Sequence, residues 1–348
     1  MQVPLRSSKT VKSDTAPGAV LSGAVVLATT LALSACSSSS SEPSVAAILK
    51  GLDNPFFQTM QSGVQDAASA NKVKVEVQAA TSVTDTTGQA DKLAALANQD
   101  YSCFIVNPIS GTNLIQGIAK LAAGKKTIVN IDSPVDPDAA KQANATIASY
   151  IGTDNEAAGK LAAGEMLKLL PGGGKVVAIG GTSGDVTSAA RITGFQEAAK
   201  AQPSITILPT VAANWDRQEA LTQASTLLRA NPDLAGFFVA NDDMALGVAR
   251  AVASANKIGA VKIVSVDGLK EALEGVKSGE LSAVVAQYPF VIGQMGVEAC
   301  KAVTAGKTLP ANVAAPVELV TKDNADQAIA ATPKPFGEYA DPFTALLK

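Results

Sequence analysis

The sequence predicts an α/β fold with parallel sheets, arranged as two lobes of similar topology. Three observations carry this expectation. Short apolar runs recur along the chain, and they are unbroken rather than alternating. Ala-rich stretches of helical length and period separate most of them. A strand covered on one face alternates apolar and polar residues, whereas an unbroken run suits a strand buried on both faces, as parallel strands are when crossover helices flank them. The third observation is an internal repeat of strand, turn, helix and strand.

The series opens with VAAIL at 45–49, the turn LDNPFF, and a helical stretch through GVQDAASA to VKVEV at 73–77. CFIV at 103–106 and TIVNI at 127–131 follow. NEAAGKLAAGEMLKLL at 155–170 has helical length and period and leads to VVAIG at 176–180. The repeat restarts there, running through GFQEAAKA to ITIL at 205–208, so that Gly63, Gln65, Ala67 and Ala68 correspond to Gly194, Gln196, Ala198 and Ala199. GFFVA at 236–240, the helix DMALGVARAVASA at 243–255, VKIVSV at 261–266 and SAVVAQ at 282–287 complete the pattern, and QMGVEACKAV reads as one more helix. These spacings place a first lobe at 45–152 plus 288–309 and a second at 153–287 plus 310–325. The Pro-rich stretch at 326–348 has no clear period and stays unassigned.

Composition narrows the function. At 348 residues, 47% hydrophobic, the chain has the length of about two domains. A net charge of -3 without a basic block removes the footprint that nucleic acid or an anionic membrane surface requires. Histidine is absent, which excludes a histidine general base, a Ser-His-Asp triad and a histidine-ligated metal. Residues 1–15 carry Arg6, Lys9 and Lys12, and an almost uncharged run then leads to Leu33, Ser34, Ala35 and Cys36. That pattern is a secretory n-region and h-region, and its end resembles the bacterial lipobox, whose cysteine is lipidated and becomes the first mature residue. It gives a signal peptide at 1–35, lipidation at Cys36, and a Ser-rich tether at 36–44 holding an exported protein to the outer face of the cell membrane. The other reading is a plain membrane span, for which about 20 apolar residues suffice. Cys103 and Cys300 read as small buried hydrophobes; export also permits a disulfide between them.

Hydrogen-bonding residues stand at the C-terminal ends of the predicted strands: Asn107, Asp132, Asn241 with Asp242, Asp267 and Gln287. In open parallel sheets, strand ends and helix N-termini converge on a ligand crevice at that edge. The alternative role is helix capping, which suits Asp154 and Asp243, each just before a helical run. Aromatics are scarce at 4%, yet Phe56 and Phe57 lie in the first turn and the single Trp215 in a polar loop. Flat apolar faces beside carboxylates, amides and Arg191 suit a neutral polyhydroxylated ligand. Its C–H faces stack on rings while each hydroxyl both donates and accepts, and bonds to charged partners contribute roughly 1.5–3 kcal/mol each.

With DNPFF, ANDDMALG, VSVDG and AQYP in this order, residues from about Val45 to about Val320 resemble the periplasmic sugar-binding proteins of the ribose-binding family, the recognition subunits of ABC-type importers. The resemblance implies a type I periplasmic binding protein fold: two Rossmann-like lobes joined by a three-strand hinge, with the ligand enclosed in the cleft. It implies a monomer with no catalytic residue, metal or cofactor, whose partners are a small neutral sugar or polyol and a membrane permease with its ATPase subunit. Carried over by position, Asn54 would bond a hydroxyl, Phe57 with Phe56 beside it would stack on one face of the ring, and Trp215 would oppose them. Asp132, Thr153, Arg191, Asn241, Asp267 and Gln287 fill the polar positions. Lys50 stands where ribose receptors have a small hydroxyl residue, Ser133 where they have arginine, and Val266 where they have an aromatic. These departures, with IDSPVDP and QYPF, are more similar to the fructose-type branch, pointing to a ketohexose, another monosaccharide or a linear sugar alcohol.

Two other classes compete. An enzyme reading rests on GGTSGD at 180–185, a Gly-rich turn before a helix, but its spacing is not G-x-G-x-x-G, PGGGKVV lacks the Ser or Thr of a phosphate loop, and a flexible turn explains it. Asp132 and Asp267 as a hydrolytic carboxylate pair would look no different in sequence. A sugar-sensing regulator on the same fold would carry an N-terminal helix-turn-helix in place of this leader.

Overall fold

The computed structural model describes residues 44–348. The expected signal peptide, the lipidation site Cys36 and the tether up to residue 43 lie outside the described residues. The first half runs β1 (Ser44–Leu49), α1 (Pro55–Asn71), β2 (Lys74–Ala79), α2 (Thr86–Leu96), β3 (Cys103–Val106), α3 (Ile115–Ala123), β4 (Thr127–Ile131), α4 (Pro137–Gln142) and β5 (Ser149–Gly152). The second runs α5 (Asn155–Leu169), β6 (Gly174–Gly180), α6 (Val186–Ala199), β7 (Ile205–Ala212), α7 (Arg217–Ala230), β8 (Leu234–Val239), α8 (Asp242–Ser254), β9 (Lys262–Asp267), α9 (Lys270–Ser278) and β10 (Ala283–Gln287). α10 (Pro289–Thr304), β11 (Asn312–Ala314), β12 (Val317–Val320), α11 (Ala325–Ala331) and α12 (Pro342–Leu346) follow.

The strands form two six-stranded sheets, ordered β2-β1-β3-β4-β5-β11 and β7-β6-β8-β9-β10-β12. Both follow the doubly wound order 2-1-3-4-5 with one added edge strand, so the internal repeat is a duplicated architecture. All pairings are parallel except β12 on β10. The unbroken apolar runs have the expected cause. In β1, Val45, Ala47 and Leu49 enter the core beneath α1, and Ala46 and Ile48 enter the core on the opposite face. The repeated glycines mark close helix crossings: a Cβ at Gly63 would sit 2.0 Å from the Phe290 carbonyl oxygen, and one at Gly194 would sit 2.1 Å from that of Glu156.

The chain passes between the sheets after β5, after β10, and between β11 and β12. The last crossing corrects the sequence-based boundary at 309/310. β11 pairs with β5 in the first sheet, so the change of lobe falls between Ala314 and Val317. α10 returns to the first lobe and packs on α1, β3 and β4. There Cys103 of β3 and Cys300 of α10 form a disulfide, with Cα atoms 5.7 Å apart, which decides the option that the sequence left open. The segment left unassigned is ordered and touches both lobes. α11 packs on α9 of the second lobe, while α12, with Phe343 fully buried, packs on α10 of the first. Between them the backbone N–H groups of Phe336 and Gly337 donate to the Glu318 carboxylate, at 3.2 and 2.8 Å, and Tyr288 donates its hydroxyl to the same group.

Candidate ligand-binding cleft

The order 2-1-3-4-5 leaves a crevice at the C-terminal ends of β1 and β3 in one lobe and of β6 and β8 in the other, where consecutive connections leave in opposite directions. Both crevices open onto one cavity of about 220 Å³. The first lobe gives Lys50, Asn54, Phe56, Phe57, Asp132 and Ser133; the second gives Arg191, Trp215, Asn241 and Asp267.

In the first lobe, Asn54 caps α1, its Oδ1 accepting from the Phe56 N–H at 2.9 Å. The cap fixes where the helix begins and so aims the two phenylalanines of its first turn, which meet edge to face with centroids 5.2 Å apart. Lys50, just beyond β1, donates to Ser133 Oγ at 2.6 Å and lies 5.4 Å from the Phe57 ring centroid, within cation–π range. Asp132 follows β4 with φ of 60° and is held by its own backbone: its N–H donates to the Ile151 carbonyl at 2.8 Å, and Tyr150 donates its hydroxyl to the Asp132 carbonyl at 2.7 Å.

In the second lobe, Arg191 of α6 is buried, with its Nε donating to Asn155 Oδ1 at 2.8 Å and an Nη to the Ala240 carbonyl at 2.6 Å and Asp267 Oδ1 at 3.1 Å. Asp267 also accepts from Gln287 Nε2 at 2.7 Å. Asn241 caps α8 through Met244, at 3.0 Å. Trp215 lies flat against the backbone of Gly181, where a Cβ would be 2.1 Å from the indole, so only glycine permits that ring position. Behind the wall, the fully buried Asp242 accepts from Ser265 Oγ at 2.5 Å and from the Gly268 and Leu269 N–H groups at 2.7 and 2.8 Å, pinning the turn that carries Asp267.

Burial dominates the electrostatics. It raises the Asp132 carboxyl above its ordinary range against the lowering fields of Lys50 and Arg191. Asp267 is pushed up to about 6, burial being the largest cause, with Arg191 opposing it and Asp132 adding to it. Asp242 is raised well above the usual carboxylate range, by burial first and the neighbouring Asp267 next.

Two expected residues lie off the cavity. Gln287 spends its amide N–H on Asp267 and lines a separate cavity of about 240 Å³ at the hinge. Thr153 is buried in the first crossover with its hydroxyl unpartnered. Asp154 caps α5, as expected, through Ala157 at 2.9 Å. Asp243 does not cap α8, because Asn241 takes that place; it pairs with Arg217 at 2.8 Å instead. Sequence reading missed part of the wall: Thr84, Ser110, Thr182, Ser183, Asp185 and Thr187 also line the cavity. The GGTSGD segment, read as a flexible turn, is thus a structural wall. Its sequence signals were its glycines and its place between a strand and a helix of the repeat.

The model of the periplasmic binding protein domain family matches residues 45–308. The chain belongs to this family. A D-allose-binding periplasmic protein of Escherichia coli (strain K12) is 37% identical over 279 residues, covering 79% of this chain and 89% of that protein. Among solved structures, an ABC transporter periplasmic solute binding protein from Actinobacillus succinogenes 130z with bound D-allose superposes with a TM-score of 0.78 at 26% identity, covering 82% of this chain and 99% of that one. One from Agrobacterium vitis, bound with alpha-D-tagatopyranose, gives 0.77 at 28% identity, covering 83% and 98%. Family membership places this chain among exported binding proteins of sugar import rather than among enzymes. Among the described residues, no helix is long and apolar enough to cross a membrane.

Proposed function

We propose that the protein is the substrate-binding component of an ABC-type importer and closes its cleft on one neutral monosaccharide or sugar alcohol. The observation that carries this reading is a single cavity walled by both lobes, with Phe57 and Trp215 for the apolar faces of a ring and Asp132, Arg191, Asn241 and Asp267 for its hydroxyls. Arg191 is already matched by Asp267 and Lys50 lies in the field of Asp132, so neither cation is left over for an anionic guest. Ligands held by related proteins, D-allose and tagatopyranose among them, support the monosaccharide class.

A guest that touches both lobes gains contacts in the closed form that the open form lacks, and so shifts the population toward closure. The closed shape is what the permease would receive. The LSAC segment ending at Cys36 supports lipid anchoring outside the cytoplasm. A hydrolytic role for Asp132 and Asp267 finds no support in the geometry, since Asp267 is bound to Arg191 and Gln287.

A thermal-shift panel of D-allose, D-ribose, D-tagatose, xylitol and myo-inositol tests the reading. At a hundredfold excess over Kd, a true ligand stabilises by about 2.7 kcal/mol, and Phe57→Ala or Trp215→Ala removes the shift. No shift with any member of the panel contradicts it.

A further inference from the structure

We infer that Thr187 is the closure latch of the cleft, holding the second lobe to the first through Ser133, whose hydroxyl is aimed by Lys50, whichever guest is bound. This rests on the sugar-binding reading for its biological use, though not for its geometry. Ser133 Oγ of the first lobe and Thr187 Oγ1 of the second lie 3.5 Å apart. Among the described residues, this is the side-chain hydrogen bond that joins the two lobes within the cleft; Lys50–Ser133 stays inside the first lobe and Arg191–Asp267 inside the second.

An ammonium group has donors and no lone pair, so Ser133 Oγ accepts from Lys50 Nζ at 2.6 Å. That leaves the Ser133 hydroxyl its proton and a second lone pair, so either hydroxyl of the Ser133–Thr187 pair can donate to the other. At 3.5 Å the contact lies beyond the ordinary hydroxyl range of about 2.5–3.0 Å, and roughly half an ångström of further closure brings it in.

Both ends are fixed within their own lobes, so the gap between them reports the angle of closure. Ser133 is held by its carbonyl, which accepts from Asn130 Nδ2 at 2.8 Å, and by its N–H, which donates to Asn107 Oδ1 at 3.4 Å. Thr187 stands in the first turn of α6, whose start is fixed by Asp185 capping Ser188 at 2.8 Å and by the Gly181 N–H donating to Ser188 Oγ at 2.9 Å. One helical turn further on, Arg191 locks the same helix to Asn155, Ala240 and Asp267. With both backbones fixed, relative movement of the lobes lengthens or shortens the latch.

A latch between protein groups has a signature that a ligand contact lacks. It scales the closed population, and apparent affinity scales with that population for every guest alike. One net hydrogen bond corresponds to about a three- to tenfold change. The test uses Thr187→Val, which keeps the shape without the hydroxyl, and Thr187→Ser, which keeps the hydroxyl. Calorimetry against D-allose, D-ribose and xylitol is combined with interlobe distances in ligand-free protein, from spin labels at the exposed positions Lys74→Cys and Lys200→Cys. Thr187→Val should weaken every sugar that binds by the same three- to tenfold and lower the ligand-free closed fraction by a similar factor. Thr187→Ser should stay near the parent protein. A loss confined to one sugar, or an unchanged closed fraction, overturns the latch. A closed fraction that falls in a protein binding none of the sugars upholds the latch and removes the sugar reading instead.

Discussion

Asp267 places one carboxylate oxygen under two donors, Arg191 and Gln287, at a backbone φ of 140° that non-glycine residues rarely adopt. With its carboxyl pushed up to about 6, the ligand-free protein takes up a proton there as the pH falls through that value. Sugar hydroxyls that donate to the carboxylate favour the ionised form, so affinity should weaken below about pH 6, by at most tenfold per unit for one proton, and level off above it. Calorimetry at about pH 5 and pH 7.5 checks this, and Asp267→Asn should flatten the profile. For folding the sign is opposite: a carboxyl raised on folding contributes stability that is fully present below its unfolded value, near 3.9, and lost as the pH rises through about 6. Asp267, Asp132, Phe57 and Trp215 were legible in the sequence because carboxylates at strand ends and rings in turns are costly without a purpose. Thr187, Ser110 and Thr84 were not, since hydroxyl residues populate turns for purely local reasons. Gln287 was placed on the right strand end, but a strand end does not say where an amide is spent.

Helix α6 is where packing reaches the site. Its crossing with α5 is so close that a Cβ at Gly159 would lie 2.1 Å from the carbonyl oxygen of Arg191. Gly159→Ala must therefore push α6 outward and carry Arg191 and Thr187 with it. The expected cost is about 1–3 kcal/mol of stability together with weaker sugar binding, measured by denaturant unfolding and by titration; unchanged affinity at reduced stability would detach the crossing from the site. Elements with long apolar runs were legible, as in β1, β3 and β8. β5 was overlooked because SYIG is short and carries Ser and Tyr, and β11 because NVA is a strand only through its pairing with β5. Strands this short take their conformation from tertiary pairing rather than from their own pattern.

Across the molecule, the lobes are coupled by three crossings and by a C-terminal segment that packs on both. The duplicated architecture was legible from the repeat of Gly63 in Gly194, whereas the course of residues 326–348 was not, because no periodicity marks a segment held by Glu318 and by the burial of Phe343. The disulfide was only an open option for the same reason: 197 residues separate its cysteines, and only the packing of α10 on β3 brings them together. It anchors the helix that returns from the second lobe. Replacing both cysteines by serine should cost about 2–5 kcal/mol, read as a lower unfolding midpoint under oxidising conditions, with the parent protein falling to the same value when reduced. A midpoint insensitive to both changes would contradict a structural role for the bond.

If both lobes hold one uncharged guest between Phe57 and Trp215, a crystal structure of the protein with the sugar or polyol selected by the binding panel will show one molecule stacked between those two rings, with its hydroxyls on Asp132, Arg191, Asn241 and Asp267. Density contacted by a single lobe, or an ion in place of a neutral molecule, would contradict it.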